Sequence, residues 1–487
     1  MDLAIRLDSN APIPLHRQLY KELRQAILTG RLSKGKRIPS TRALAKSLGI
    51  SRTTVTLAYE QLISEGYLQT TVGSGTFVCS QLPDELLNSA PLDSFSEESP
   101  PAVQLSNYGA IIANTEIPYY QQPDLPISFR YGQPAFDQFP FKLWRKLLSR
   151  HCSSPLDWLN YATDAGGYQP LREAIASYLA RSRAVQCEPD QIIITSGSQQ
   201  ALDLVTRLLI APGDGIALEE PGYPGARYIF LAQGAKLYPM AVDESGLVIE
   251  KLVNSSQKNI KLLYITPSHQ FPTGAVLSLP RRLELLAWAQ KMGTMIIEDD
   301  YDSEYRYGER PIPALQGLAH SNSVLYIGTF SKMLFPSLRI GYLVVPQHLV
   351  SLLTRAKWLT DRHSPLLEQK VLVDFLNEGH LESYIRRMRN HYNQLRQVLV
   401  QALRTYLAQK VTILGEKAGI HLMVRLNTKL SDEEIIHRAA ELGVCLVTAQ
   451  PYYWENKPRG EFIFGYAQLT AAQIQEGISK FALVVTE

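Results

Sequence analysis

Five continuous apolar runs constrain this chain more than anything else in it: QIIITSG, GIALEEP, KLLYITP, TMIIEDD and VLYIGTF. A strand that is apolar along its whole length is buried on both faces, whereas a half-exposed strand alternates. Helical stretches such as LREAIASYLARSR and SQQALDLVTRLLI lie beside and between these runs. Strands separated by helices predict an α/β fold with a mainly parallel sheet covered on both faces. After about residue 365, long amphipathic stretches with short strands predict a smaller C-terminal α+β lobe. At 487 residues the chain exceeds what one core serves, so two or three domains are expected.

Composition removes several function classes. No run approaches the ~18 apolar residues of a membrane span, so no membrane partner is expected. The stretch MDLAIRLDSNAPIPLHRQLY lacks the basic, apolar and small-residue layout of a signal peptide. Cys79, Cys152, Cys187 and Cys445 are far apart and form no C-x-x-C pair. A cytoplasmic protein with neither a disulfide frame nor a metal site is the expectation.

Charge is unevenly spread. Residues 1–80 carry eleven Lys/Arg against five Asp/Glu, and the remainder carries thirty-eight against forty-one. A small basic segment on a slightly acidic body points to a polyanion-binding module. No Lys or Arg occurs between Arg52 and Arg130, and SQLPDELLNSAPLDSFSEESPP is acidic and rich in Ser and Pro. Such a stretch buries little apolar surface. The expected division is therefore a module at 1–79, a flexible linker at 80–126 and a body at 127–487.

Within the module, IPSTRALAKSLGISRTTVTLAYEQLISEGYLQTTVGSGTFV reads element by element. Ser40 caps a helix carrying Leu44, Ala45 and Leu48, and Gly49 permits a tight turn. Ser51 caps a second helix with Val55, Ala58, Tyr59 and Leu62 inward, which Gly66 ends. A hairpin follows around Gly73-Ser74-Gly75. Helix, turn, helix and hairpin make a winged helix-turn-helix, a mainly α module with a β wing. Ser51, Arg52, Thr53 and Thr54 stand at the start of the second helix, where such helices meet base edges and phosphates of double-stranded DNA. Arg42 and the wing glycines Gly73 and Gly75 are placed for the phosphate backbone.

In the body, three strand ends carry chemistry. IIITSGSQQALDL ends a strand in a glycine turn, and the helix starting at Ser198-Gln199 offers free N–H groups to a phosphate. TMIIEDDYDSEY puts Asp299 and Tyr301 just past a strand. TFSKMLFPSLRIGY puts Lys332 past another, with Ser331 beside it and Arg339 seven residues on. A partly desolvated lysine amine forms a Schiff base with a carbonyl, and an arginine grips a phosphate. Together these are the needs of pyridoxal phosphate: a lysine for the aldehyde, an acid for the ring nitrogen and a phosphate cup.

Residues 12–78 resemble the GntR-type winged helix-turn-helix. The order Gly-Ser-Gln, PGYPGA, FPTG, EDDY and SK…R resembles the fold-type I aminotransferases. The resemblance implies that Lys332 carries the cofactor as an aldimine, Asp299 pairs with the ring nitrogen, Tyr301 sits by the ring hydroxyl and Tyr223 stacks on the ring. Ser198, Gln199, Ser331 and Arg339 would hold the phosphate, and Tyr161 would reach the neighbouring subunit's site. Two positions depart from the family. Phe271 in SHQFPTG stands where an asparagine is usual, with His269 as the candidate replacement. Arg459 in NKPRGEFIFGYAQL is the one arginine near the place of the substrate-carboxylate clamp.

Taken together, the chain resembles the MocR/GabR group of transcription regulators. That resemblance implies a domain-swapped homodimer that binds promoter DNA and senses an amine effector, or pyridoxal phosphate itself, through Lys332. An active aminotransferase carrying a DNA-binding module is the alternative, with residual half-reaction chemistry between the two. Whether transcription is activated or repressed, and at which operator, stays open in the sequence.

Overall fold

The computed structural model describes residues 5, 7–9, 11–71, 73–84, 103–115, 125–153, 159–254, 259–308, 312–319, 322–455 and 457–486. It divides into two compact units, Met1–Gln104 and Leu105–Glu487.

The first unit contains α1 (Leu15–Leu28), α2 (Thr41–Leu48), α3 (Arg52–Ser64), and a hairpin of β1 (Leu68–Thr71) and β2 (Gly75–Val78). Ser40 Oγ accepts from Ala43 N at 3.2 Å and Ser51 Oγ from Thr54 N at 3.1 Å. Each cap satisfies an N–H that has no partner inside its helix and contributes about 1 kcal/mol. Gly49, at φ 66°, turns the chain between the two helices. Leu44, Ala45, Val55, Ala58, Tyr59 and Leu62 meet Leu19 and Leu23 of α1 in one core.

The second unit is built on an eight-stranded sheet. Its strands are β4 (Ile192–Thr195), β5 (Gly215–Glu220), β6 (Lys236–Asp243), β7 (Gly246–Leu247), β8 (Ile260–Ile265), β9 (Met295–Asp300), β10 (Val324–Thr329) and β11 (Gly341–Val344). Their spatial order is β4-β11-β10-β9-β8-β5-β6-β7. β10, β9, β8, β5 and β6 run parallel, while β11 is antiparallel to both β10 and β4. Successive residues of one strand enter different cores: Leu262 and Tyr264 join one, Leu263 and Ile265 another. That division is the physical reason these strands are apolar throughout.

A four-stranded antiparallel sheet forms the smaller lobe, from β12 (Val411–Leu414), β13 (His421–Leu426), β15 (Val447–Thr448) and β16 (Glu461–Gly465). The 28-residue helix His380–Leu407 and the helix Ala471–Thr486 belong to the same lobe. Two short strands, β3 (Ile127–Ser128) and β14 (Val444–Cys445), pair in parallel and bring the start of the body beside its C-terminal lobe.

Part of the range expected as a flexible linker is helical. Asn107–Ala113 forms a helix whose Ser106 cap accepts from Gly109 N at 3.1 Å. A serine cap ahead of the run YGAIIA is itself a local helix signal. Residues 85–102 and 116–124 of that range lie outside the described residues.

Candidate cofactor site and nucleic-acid interface

The ends of β8, β9 and β10 open onto a cavity of about 180 Å³. Ligand sites in open α/β sheets form at this edge because the strand ends converge there without helix cover. Lys332 stands three residues past β10, and its Nζ donates to Gly132 O at 2.7 Å. Burial lowers the Lys332 pKa, while the nearby Asp302 and Asp299 carboxylates oppose that shift. Asp299, on β9, accepts from the Tyr264 hydroxyl through Oδ2 at 2.8 Å. Its other oxygen, Oδ1, is buried without a hydrogen-bond partner. Burial raises the Asp299 pKa to about 7.

At the opposite side of the cavity, Ser198 and Gln199 form the first turn of the helix Ser198–Leu209, above Gly197 at φ 79°. A Cβ at Gly197 would lie 2.9 Å from Arg339 Nη2, so the guanidinium occupies the space a side chain would take. Arg339 donates to Ser196 O at 2.6 Å and has φ 51°, an uncommon conformation for a residue other than glycine. Ser331 lines the same wall. The Tyr223 hydroxyl donates to Gln199 Oε1 at 3.3 Å, and its ring meets Phe271 edge-on at 6.2 Å. Tyr301 also lines the cavity.

Three of the candidate residues do not line this cavity. His269 is outside the lining: its Nδ1 lies 2.8 Å from Asp302 Oδ1 and 3.0 Å from the Tyr301 hydroxyl, behind the wall that Phe271 occupies. Its Nδ1 is engaged by Asp302 and Tyr301, and its Nε2 is buried without a hydrogen-bond partner. Arg459 is exposed just ahead of β16 and does not line the cavity. The strand that follows it is buried along its length, which leaves the arginine in the solvent-facing turn. Tyr161 is 71% exposed, with its ring edge-on to His363 at 6.1 Å, and stands apart from its own chain's cavity.

Several lining residues were absent from the sequence reading. Tyr264 lay in the run KLLYITP, where a polar tip among aliphatic residues is the available signal. Asp302 follows Asp299 by three residues and shares its turn. Tyr131, Gly132, Ile420 and His421 also reach the cavity, and nothing local in their segments announces it.

In the first unit, Arg42, Ser51, Arg52 and Thr53 are exposed around the start of α3. Arg52 Nε donates to Thr41 Oγ1 at 3.4 Å, holding the guanidinium near α2. Thr54 is half-buried and its hydroxyl lies 2.8 Å from Ser51 Oγ, so it serves the cap. Gly73 and Gly75 have φ 79° and 114° in the wing, and a Cβ at Gly75 would come within 2.8 Å of Arg37 Nε. Arg37 thus lies against the wing.

Comparison with known families agrees with both halves. Residues 15–78 match the family of bacterial regulatory proteins, gntR family, and residues 127–481 match aminotransferase class I and II. The chain is 39% identical over 97% of its length, and 94% of the relative's, to a probable rhizopine catabolism regulatory protein, MocR, of Rhizobium meliloti. With the transcriptional regulator TauR of Rhodobacter capsulatus it shares 33% identity over 96% of each chain. The chain belongs to the MocR/GabR-type transcription regulators. A solved α-aminoadipate aminotransferase from Thermus thermophilus, complexed with N-(5'-phosphopyridoxyl)-L-leucine, is 31% identical to this regulator. The two align over 74% of this chain and 92% of that one with a TM-score of 0.69.

Class I and II aminotransferases depend on pyridoxal phosphate, and the residues of this MocR-type body fit it. The unpartnered Asp299 Oδ1 is an acceptor for a ring N–H. The Gly197 turn, the helix start at Ser198 and the Arg339 guanidinium form an anion cup. Lys332 Nζ is a desolvated amine within the same cavity, the kind of group that the cofactor's aldehyde requires. Phe271 offers no hydrogen bond where the aminotransferases have an amide.

Proposed function

We propose that this MocR/GabR-type regulator reads an amine effector, or the supply of pyridoxal phosphate itself, in the Lys332 cavity and reports it to promoter DNA through the winged helix. The observation that carries the reading is a complete cofactor set, Lys332, Asp299 and Arg339, in one chain with a GntR-type module. When bound, pyridoxal phosphate supplies an aldehyde carbon open to attack by a primary amine. Arg339, Ser331 and the Ser198-Gln199 turn bind the phosphate, Asp299 holds the ring proton, and Tyr223 covers the ring. Lys332 Nζ would hold the aldehyde, and Gly132 O, 2.7 Å from that nitrogen, is its acceptor when the aldehyde does not engage it. Operator affinity then changes by as much as the effector's affinities for the two arrangements differ.

The regulator acts as a cytoplasmic homodimer with exchanged domains, joined through the polar segment within 80–126. The exposed Tyr161 suits a role in the neighbouring subunit's cavity. A PdxR regulator of pyridoxine biosynthesis from Corynebacterium glutamicum, 31% identical over 93% of this chain and 92% of its own, supports the cofactor itself as one candidate signal. The intact cofactor set equally favours a working aminotransferase, but Phe271 and the exposed Arg459 count against efficient turnover of an amino acid. Lys332→Ala tests the sensor reading. The variant is expected to lose the covalent visible-absorbing form and, in gel-shift titrations, the effector-dependent change in operator affinity. Unchanged regulation in Lys332→Ala, or multiple turnover of an amino donor and a keto acid by the wild type at ordinary enzyme rates, overturns it.

A further inference from the structure

Beyond the cofactor-holding residues, the cavity wall includes Tyr131, Gly132, Phe271, Asp302, Ile420 and His421, with two threonines and a proline. Among the described residues lining the cavity, Arg339 is the only arginine and Lys332 the only lysine. Arg339 is committed to the phosphate, and Lys332 Nζ, when the aldehyde does not engage it, donates to Gly132 O at 2.7 Å. Whatever an effector carries beyond its reactive amine therefore meets aromatic rings, an isoleucine, a histidine and a carboxylate. Burial holds the His421 pKa well below its usual value, with His269 adding to the effect, so His421 is a neutral ring here.

Asp302 dominates the charge of that wall. Its side chain is 1% exposed and accepts from His269 Nδ1 at 2.8 Å. His269 Nε2 is buried and has no hydrogen-bond partner. That contact fixes the orientation of the Asp302 carboxylate. Asp299, the second acid of the cavity, lies on the same strand end. Among the described lining residues a carboxylate or sulfonate tail would face these acids with no second guanidinium to answer it, and like charges brought together in a desolvated site repel. A hydroxyl or a second amine finds an acceptor in the same place.

We infer that the effector is a primary amine without a carboxylate or sulfonate, its tail neutral and hydroxylated or cationic, selected by Asp302 in a wall that carries no free guanidinium. The inference rests on the sensor reading above and narrows its ligand. It separates this regulator from one built to recognise an amino acid, because the acid that excludes the anion is held in place by His269.

The test uses the full-length protein loaded with pyridoxal phosphate and three amines of matched length: 4-aminobutyrate, 4-amino-1-butanol and 1,4-diaminobutane. Each is titrated against the visible absorption spectrum and against operator affinity. The two amines lacking a carboxylate are expected to act at concentrations at least about tenfold below 4-aminobutyrate, the ratio that one modest electrostatic difference produces. Asp302→Asn, close in shape, is expected to shrink that ratio while leaving the cofactor spectrum visible. A wild type that responds to 4-aminobutyrate as well as or better than to its carboxylate-free analogues overturns the inference, whichever chain supplies the cation. A wild type that answers none of the three overturns it too. The sensor reading is then judged separately, by whether removing the cofactor alone changes operator affinity.

Discussion

Tyr264 and Asp299 show how much one hydrogen bond does in a dry site. The hydroxyl supports the ionised carboxylate that a protonated ring nitrogen requires, whereas burial raises its pKa to about 7. Tyr264→Phe keeps the packing and removes the donor. Hydrogen bonds to charged groups contribute roughly 1.5–3 kcal/mol, so the affinity for pyridoxal phosphate at neutral pH is expected to fall about tenfold or more. Fluorescence titration checks this, and an unchanged Kd counts against the role given to Tyr264. The same carboxyl gives a pH signature in the cofactor-free protein. Its folded pKa lies above the ordinary 3.8, so between those values folding takes up a proton and stability declines as pH rises through about 7. Asp299→Asn removes that penalty. The cofactor-free variant is expected to melt higher than wild type at pH 8, with the gap narrowing toward pH 5. A gap constant across that range rules the assignment out.

Helices and strands differ in how openly the sequence declared them. The winged module was legible almost residue by residue because its signals are local: Ser40 and Ser51 cap, Gly49 turns, and Val55, Ala58, Tyr59 and Leu62 face inward. Strand ends were legible for the same reason, which is why Lys332, Asp299 and Arg339 could be found from their positions after apolar runs. Strand direction was not. GYLVV is equally apolar in either sense, so the antiparallel β11 inside a parallel sheet left no trace in composition. Tyr131 and His421 reach the cavity only through tertiary folding, from segments at opposite ends of the body. Arg459 is exposed and outside the cavity lining, and proximity in sequence to β16 says nothing about the side of the turn on which a side chain falls. At this scale Arg52→Ala is the informative change, since α3 keeps its cap without that guanidinium. Operator affinity is expected to drop, and the slope of log K against log salt to flatten by about one unit. Equal slopes for variant and wild type would show that Arg52 meets no phosphate.

Across the molecule, a regulator of this kind has to turn occupancy of a small cavity into a different arrangement of a large body. Three glycines mark where the lobes of the second unit touch most closely. A Cβ at Gly419, just ahead of β13, would lie 2.1 Å from His269 Cε1 and 2.7 Å from Asp302 Oδ2. A Cβ on Gly274 would come within 2.3 Å of Gly415 Cα, and one on Gly415 within 2.7 Å of Thr273 O. Side chains cannot enter such contacts without parting the two surfaces, and the positive φ of all three adds local strain to any replacement. Gly419→Ala is therefore expected to lower the response of operator affinity to ligand while α3 still binds DNA, as parallel gel shifts with and without ligand would show; a full response in the variant excludes the contact from signalling. In a population that carries this regulator the consequence is heritable. One added methyl group at this seam acts as a doorstop, so alleles deaf to their signal should collect at these glycines, far in sequence from the lysine that receives it.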